Sequence, residues 1–207
     1  MTKELESMKG QLCKILYKIG ALKFGTFKLT SGEISPYYID LRIVPSFPDA
    51  FHRICDLYIN LIKQNIGTEN FQRIAGIPTA GIPFASVISY NLHKSFLYTR
   101  SMQRKHGREK RIEGMLAPGD IVLLLDDLVT SGKSLLKAAS SIRAEGGVIN
   151  DAVALIDREE RGREELASDG ITLHNLLKVS EAANTLYDIG AISDIELKTI
   201  LKQRKEK

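Results

Sequence analysis

Residues 121–134, IVLLLDDLVTSGKS, set five apolar side chains, two adjacent carboxylates and a short Thr/Ser/Gly stretch ahead of helix-forming sequence. The run Ile121, Val122, Leu123, Leu124 and Leu125 is short, partly branched and bounded by polar residues, the pattern of a strand buried on both faces of a parallel sheet. Ligands of such sheets bind at the strands' carboxyl ends, where Asp126 and Asp127 are expected to emerge. Ionised carboxylates there accept hydrogen bonds from sugar hydroxyls or from the water around a divalent cation. Just beyond, Thr130, Ser131 and Gly132 offer hydroxyls and an unobstructed backbone. A helix starting near Lys133 adds unpaired N–H groups and the positive end of its dipole. Acids followed by an anion site read as a cradle for a ribose phosphate, although a strand ending in Asp before a glycine turn also occurs in α/β domains of every function. A Walker loop ends in the same Gly-Lys-Ser, but it requires a glycine five positions before Gly132, where this chain has Asp127. A carboxylate there repels a triphosphate and suits a ribose diol.

A second concentration of chemistry follows the strand predicted at residues 95–100. Residues 104–111 carry five Lys/Arg against one Glu, with Gly107 among them, so the loop over 101–113 has little to bury and much freedom to move. Because it leaves a strand end, its charge suits an anionic ligand better than a merely solvated face. His106 lies inside it, and a histidine exchanges protons near neutral pH; His52, His93 and His174 fall in structural contexts.

These groups need a frame, and the chain alternates helix and strand. Leu5, Met8, Leu12, Ile15 and Ile19 recur every three or four residues, predicting an amphipathic helix over about 3–20 that ends near Gly20. An extended Gly/Ser/Pro-rich segment holding Tyr37, Tyr38 and Ile39 precedes a helix over roughly 48–65. Strands over 73–77, 95–100, 121–125 and 148–157, with helices containing 86–92 and 133–144, argue for a doubly wound parallel sheet. Ser180 and Ser193 read as N-caps of two closing helices. The loop Pro78-Thr79-Ala80-Gly81 leaves the 73–77 strand with residues small enough for close backbone approach.

The chain has 207 residues, 43% of them hydrophobic, enough for one sizeable core. Its start lacks a basic-then-apolar secretion pattern, and no segment has the roughly 18 apolar residues of a membrane span. The two cysteines, Cys13 and Cys55, sit in apolar helical sequence and read as buried thiols of a reducing compartment, so a cytoplasmic location is expected. The net charge of +4 is uneven: residues 104–111 carry +4, residues 202–207 carry +3, and the remainder is therefore −3. A basic loop and a basic tail without interleaved aromatics argue against a nucleic-acid groove.

The acidic pair with its hydroxyl-rich loop resembles the phosphoribosyl-diphosphate signature of type I phosphoribosyltransferases. Three further segments narrow the resemblance to the orotate phosphoribosyltransferase family: residues 27–42, FKLTSGEISPYYIDLR; residues 100–107, RSMQRKHG, similar to that family's mobile catalytic loop; and residues 156–162, IDREERG, similar to its orotate-contacting strand end. The resemblance implies an α/β fold of one domain over 1–207, with a doubly wound, mainly parallel sheet flanked by helices, a small N-terminal hood within 1–45 and the mobile loop at 101–113. It implies Mg2+-dependent phosphoribosyl transfer to orotate in pyrimidine synthesis, by a homodimer whose loop reaches the partner's site.

Carried onto this chain, the resemblance implies that Asp126 and Asp127 hold the ribose hydroxyls and, through water, the metal, with Asp127 in the catalytic set. Leu128, Val129, Thr130, Ser131, Gly132, Lys133 and Ser134 would wrap the 5-phosphate, and Thr79, Ala80 and Gly81 the pyrophosphate. Arg100, Ser101, Arg104, Lys105 and His106 would serve the leaving diphosphate. Arg158 and Thr130 would contact orotate, with Tyr38, Ile39 and Thr30 lining its other side; an arginine fork suits a carboxylate or a uracil-like edge. Ion pairing of Arg158 with Asp157 or Glu159 is the structural alternative. Thr30, Ser101 and Arg104 stand where many members carry lysine. That departure motivates a second reading, a weakly catalytic phosphoribosyl-diphosphate sensor; a transferase of the same fold for another base is a third, since base identity rests on the resemblance.

Overall fold

The structure, a computed structural model, describes residues 3–28, 32, 34–100 and 111–205. Helix α1 (Lys3–Lys18) buries Leu12, Cys13 and Leu16 on the stripe that the spacing predicts, and Gly20 leaves it with φ +72°. Strands β1 (Leu22–Lys28) and β2 (Ile34–Ile39) pair antiparallel as a separate two-stranded sheet, and α2 (Pro48–Asn65) begins with Pro48 in its first turn.

The main sheet takes β3 (Arg73–Gly76), β4 (Ser95–Thr99), β5 (Ile112–Glu113), β6 (Val122–Val129), β7 (Asp151–Asp157) and β8 (Thr172–Lys178), in the order β5-β4-β3-β6-β7-β8. All neighbours are parallel except β4 and β5. Helices α3 (Gly81–Asn91), α4 (Lys133–Ala144) and α5 (Gly162–Ser168) connect strands, and α6 (Val179–Asp188) and α7 (Asp194–Lys205) close the chain. From β3 the chain builds outward to β4, then returns to place β6 on the other side of β3. The loops after β3 and β6 therefore flank the point where strand order reverses, the crevice at which such sheets bind ligands.

Alternate residues of β6 enter two cores. Leu123 and Leu125 join Tyr58, Ile62, Phe84 and Ile88 of α2 and α3, whereas Val122 and Leu124 join Ala138 and Ile142 of α4 and Leu166 of α5. Cover on both faces is why β6 reads as an uninterrupted apolar run. Leu124 is fully buried, so Leu124→Ala is expected to cost about 2–5 kcal/mol and lower Tm by roughly 10 °C in calorimetry. A fall below about 2 °C would contradict this packing.

Several expectations change. β6 runs on through both acids to Val129, so Asp126 and Asp127 lie within the strand's last residues and not beyond its end. β7 starts at Asp151, and Val148 makes only an isolated bridge to Ile121. Ile112 and Glu113, expected in the loop, form β5 against β4. Ser180 is no cap: β8 runs directly into α6, Lys178 takes the cap position, and its N–H donates to Glu181. Ser193 does cap α7, exchanging hydrogen bonds with Glu196. Both cysteines are buried thiols, pushed up to about 12 by desolvation. Among the described residues no helix is long and apolar enough to cross a membrane.

Candidate active site

Asp126 is 6% exposed and Asp127 half-buried. The Asp127 N–H donates to Asp126 Oδ1 at 2.9 Å, and the two carboxyls also hydrogen-bond each other. Burial, reinforced by the Asp127 charge, holds the Asp126 carboxyl well above the usual carboxylate range. Burial also raises Asp127, against lowering by the Asp126 hydrogen bond and the Arg42 guanidinium. The pair is thus a desolvated acid site. One or two carboxylates plus substrate oxygens are what a hydrated Mg2+ takes, so these side chains fit that ion.

Gly132 adopts φ +72° and α4 starts at Lys133, leaving the first N–H groups of the helix without intrahelical partners. Asp126, Leu128, Val129 and residues 130–134 line a hollow of about 170 Å³. On the other side of β6 the 78–81 loop comes very close, because a Cβ on Gly81 would lie 2.7 Å from the Leu125 carbonyl oxygen and 3.2 Å from Asp126 Oδ1. Only glycine permits that approach. The Ile77 N–H donates to the same Leu125 carbonyl at 3.0 Å. Pro78, Arg100, Ser134 and Lys137 line a second hollow of about 120 Å³, so Arg100, which also pairs with Glu113, joins the two loops.

Arg158 lies alongside the phosphate loop. Its N–H donates to the Val129 carbonyl at 3.0 Å, and the Gly162 N–H donates to that of Thr130 at 2.9 Å. The two loops touch backbone to backbone, since a Cβ on Gly162 would lie 2.5 Å from the Thr130 oxygen and 3.0 Å from the Gly132 nitrogen. Neither expected ion pair of Arg158 forms. Its Nη2 is 3.2 Å from Glu160 Oε1, its Nε donates to Tyr37 Oη at 3.1 Å, and its guanidinium lies over the Tyr37 ring. Asp157 instead holds Arg163 and the Glu159 N–H, while Glu159 takes the Ser180 N–H.

On β2 it is Tyr37 that meets Arg158; Tyr38 packs on Phe27 and accepts from Arg42, and Ile39 is half-buried. Sequence reasoning missed Tyr37, Arg42, Tyr58 and Gly162, and only the glycine closing IDREERG carried a signal, that of a close approach. Thr30, Ser101, Arg104, Lys105 and His106 lie outside the described residues. His174 pairs with Asp151 and His52 with Asp56. The larger hollow between α1 and α2, about 380 Å³, is mostly apolar at Ile15, Ile19, Phe47 and Pro48 and contains none of the expected site residues.

Residues 49–181 match the phosphoribosyl transferase domain family. Orotate phosphoribosyltransferase from Sulfolobus acidocaldarius is 40% identical over 179 residues, 86% of this chain and 88% of that protein. The crystal structure of orotate phosphoribosyltransferase from Aeropyrum pernix superposes with TM-score 0.77 at 30% identity, covering 88% of this chain and 99% of that one. UMP synthase from Leishmania donovani superposes with TM-score 0.83 at 27% identity over 98% of this chain, which spans 43% of that longer protein. The chain, with its acidic pair where the strand order reverses and Arg158 beside the 130–134 loop, belongs to the orotate phosphoribosyltransferase family.

Proposed function

We propose that the protein, as one domain, transfers the phosphoribosyl group of 5-phosphoribosyl 1-diphosphate to N1 of orotate, giving orotidine 5-phosphate and pyrophosphate for UMP synthesis. The observation that carries this reading is the direct backbone contact between the phosphate loop at Thr130 and the Arg158 loop. It supports the reading because a loop able to take a sugar phosphate and an arginine able to take a carboxylate then adjoin. Asp126 and Asp127 hold the ribose hydroxyls, residues 130–134 and the first turn of α4 take the 5-phosphate, and the 78–81 loop lies toward the diphosphate. A hydrated Mg2+ held by the acidic pair would supply charge to the donor's oxygens.

Transfer breaks the bond from C1 to oxygen with its electron pair leaving on the diphosphate, while N1 of orotate bonds C1 and gives up its proton. Arg104 and Lys105 stabilise the departing charge, and His106 passes a proton to it. Closure of the 101–111 loop excludes water. The enzyme works in the cytoplasm as a homodimer with this loop shared across subunits. Mixed dimers of Asp127→Asn and Arg104→Ala chains are accordingly expected to recover activity that neither parent has; failure to complement would remove the shared site.

Arg158→Leu is expected to raise KM for orotate about 100-fold, with KM for the donor nearly unchanged, because it deletes a charge-assisted fork. Arg158→Lys restores little, lacking the planar pair of donors. An unchanged orotate KM in steady-state kinetics would take Arg158 out of the base site.

A further inference from the structure

Tyr58 is fully buried in the middle of α2, 68 residues before the acidic pair, with its ring against Phe84. Its hydroxyl donates to the Asp126 carbonyl at 2.8 Å. In the parallel ladder the same carbonyl faces the Leu155 N–H, since Asp126 pairs with Ala154. The register of β6 on β7 pairs Asp126 with Ala154 and resumes at Leu128 with Ile156, leaving out Asp127 and Leu155. The ladder of β7 on β8 omits Leu155 as well. The Tyr58 hydroxyl thus reaches the peptide that joins the two acids where the register of β6 on β7 is interrupted. On the opposite edge β3 pairs with β6 no further than Leu125, and the Asp127 N–H turns back onto Asp126 Oδ1.

We infer that Tyr58 is a positioning residue: its hydroxyl, bonded to the Asp126 carbonyl, fixes the Asp126–Asp127 peptide so that both carboxyls face the donor's ribose and its cation. The assignment rests on the phosphoribosyl reading of the site. Burial alone does not call for a hydroxyl, since phenylalanine would fill the same space, whereas a buried hydroxyl is kept where it has partners.

The test is calorimetric titration of the full-length protein with 5-phosphoribosyl 1-diphosphate and Mg2+, without base, for the parent protein, Tyr58→Phe and Ile62→Ala. Ile62 is buried one turn along α2 and carries no polar group. Tyr58→Phe is expected to weaken binding about tenfold or more, and Ile62→Ala to lower Tm while leaving the dissociation constant within about twofold. Incorporating 4-aminophenylalanine at position 58, which restores an N–H donor, is expected to recover most of the loss. Trimethylamine N-oxide in every titration favours the compact state, so a weakened variant is still compared as folded protein. Equal losses in both variants, or parent-like binding by Tyr58→Phe, overturn the positioning role while the functional reading stands. A parent protein that does not bind the donor overturns the reading itself and Tyr58's role with it.

Discussion

Asp126→Asn is expected to melt at a higher temperature than the parent protein near pH 7 in metal-free buffer, and to lose roughly 10²–10³-fold in kcat/KM. The asparagine keeps the geometry: its oxygen still accepts the Asp127 N–H, and its amide donates to the Asp127 carboxyl as the protonated acid does. What it removes is charge in a desolvated site. The folded carboxyl titrates well above the usual range, so from about pH 4 upward the native state binds more protons than the unfolded state. Stability therefore falls as pH rises through that window, and above the raised folded value the penalty is fully present. Asparagine escapes it, so the gain in Tm grows from about pH 5 to about pH 7. The loss of activity follows because a neutral amide is a weaker acceptor for the ribose diol and offers nothing to a cation. Scanning calorimetry with EDTA and steady-state kinetics check both halves; a lower Tm than the parent near neutral pH would show that the charge is not costly in the fold.

Gly162→Ala is the second large effect. The added Cβ would lie 2.5 Å from the Thr130 carbonyl oxygen and 2.6 Å from Val129 Cγ1. The first is backbone and cannot rotate away, so the phosphate loop or the Arg158 loop must shift. Displacement approaching 1 Å costs about 10²-fold in a positioned site, and overpacking costs about 1–3 kcal/mol of stability. The expected result is a donor KM higher by about 10–100-fold and a modest fall in Tm. Gly170→Ala is the control. Gly170 ends α5 with φ +75° and nothing within 4 Å of an added Cβ, so it suffers backbone strain without touching the loop. Equal donor KM values in the two variants would mean that the contact of Gly162 with the phosphate loop does not matter.

The elements that could be read from sequence were those whose pattern is local. β6 and α4 announce themselves, because a strand buried on both faces needs an unbroken apolar run and the Ser-Gly turn that follows, with Gly132 left-handed, marks where the helix begins. β8 and α5 did not: β8 alternates irregularly between buried and half-exposed residues, and α5 is only seven residues long. Lys178 displaced Ser180 as the α6 cap because β8 continues without a break into the helix, which no propensity scale anticipates. Of two adjacent tyrosines the resemblance singled out Tyr38; the pairing of β2 with β1 and the packing under it send Tyr37 inward instead. Tyr58 was invisible as a site residue, one more apolar position on an amphipathic helix, until the sheet placed the Asp126 carbonyl above it.

The most direct test of the central claim is the loss of orotate absorbance with purified protein, 5-phosphoribosyl 1-diphosphate and Mg2+, run beside adenine, hypoxanthine and uracil. Consumption of orotate alone, stopped by EDTA and lost in Asp127→Asn, is the predicted result. Turnover of a different base, or donor binding without turnover of any base, would contradict it.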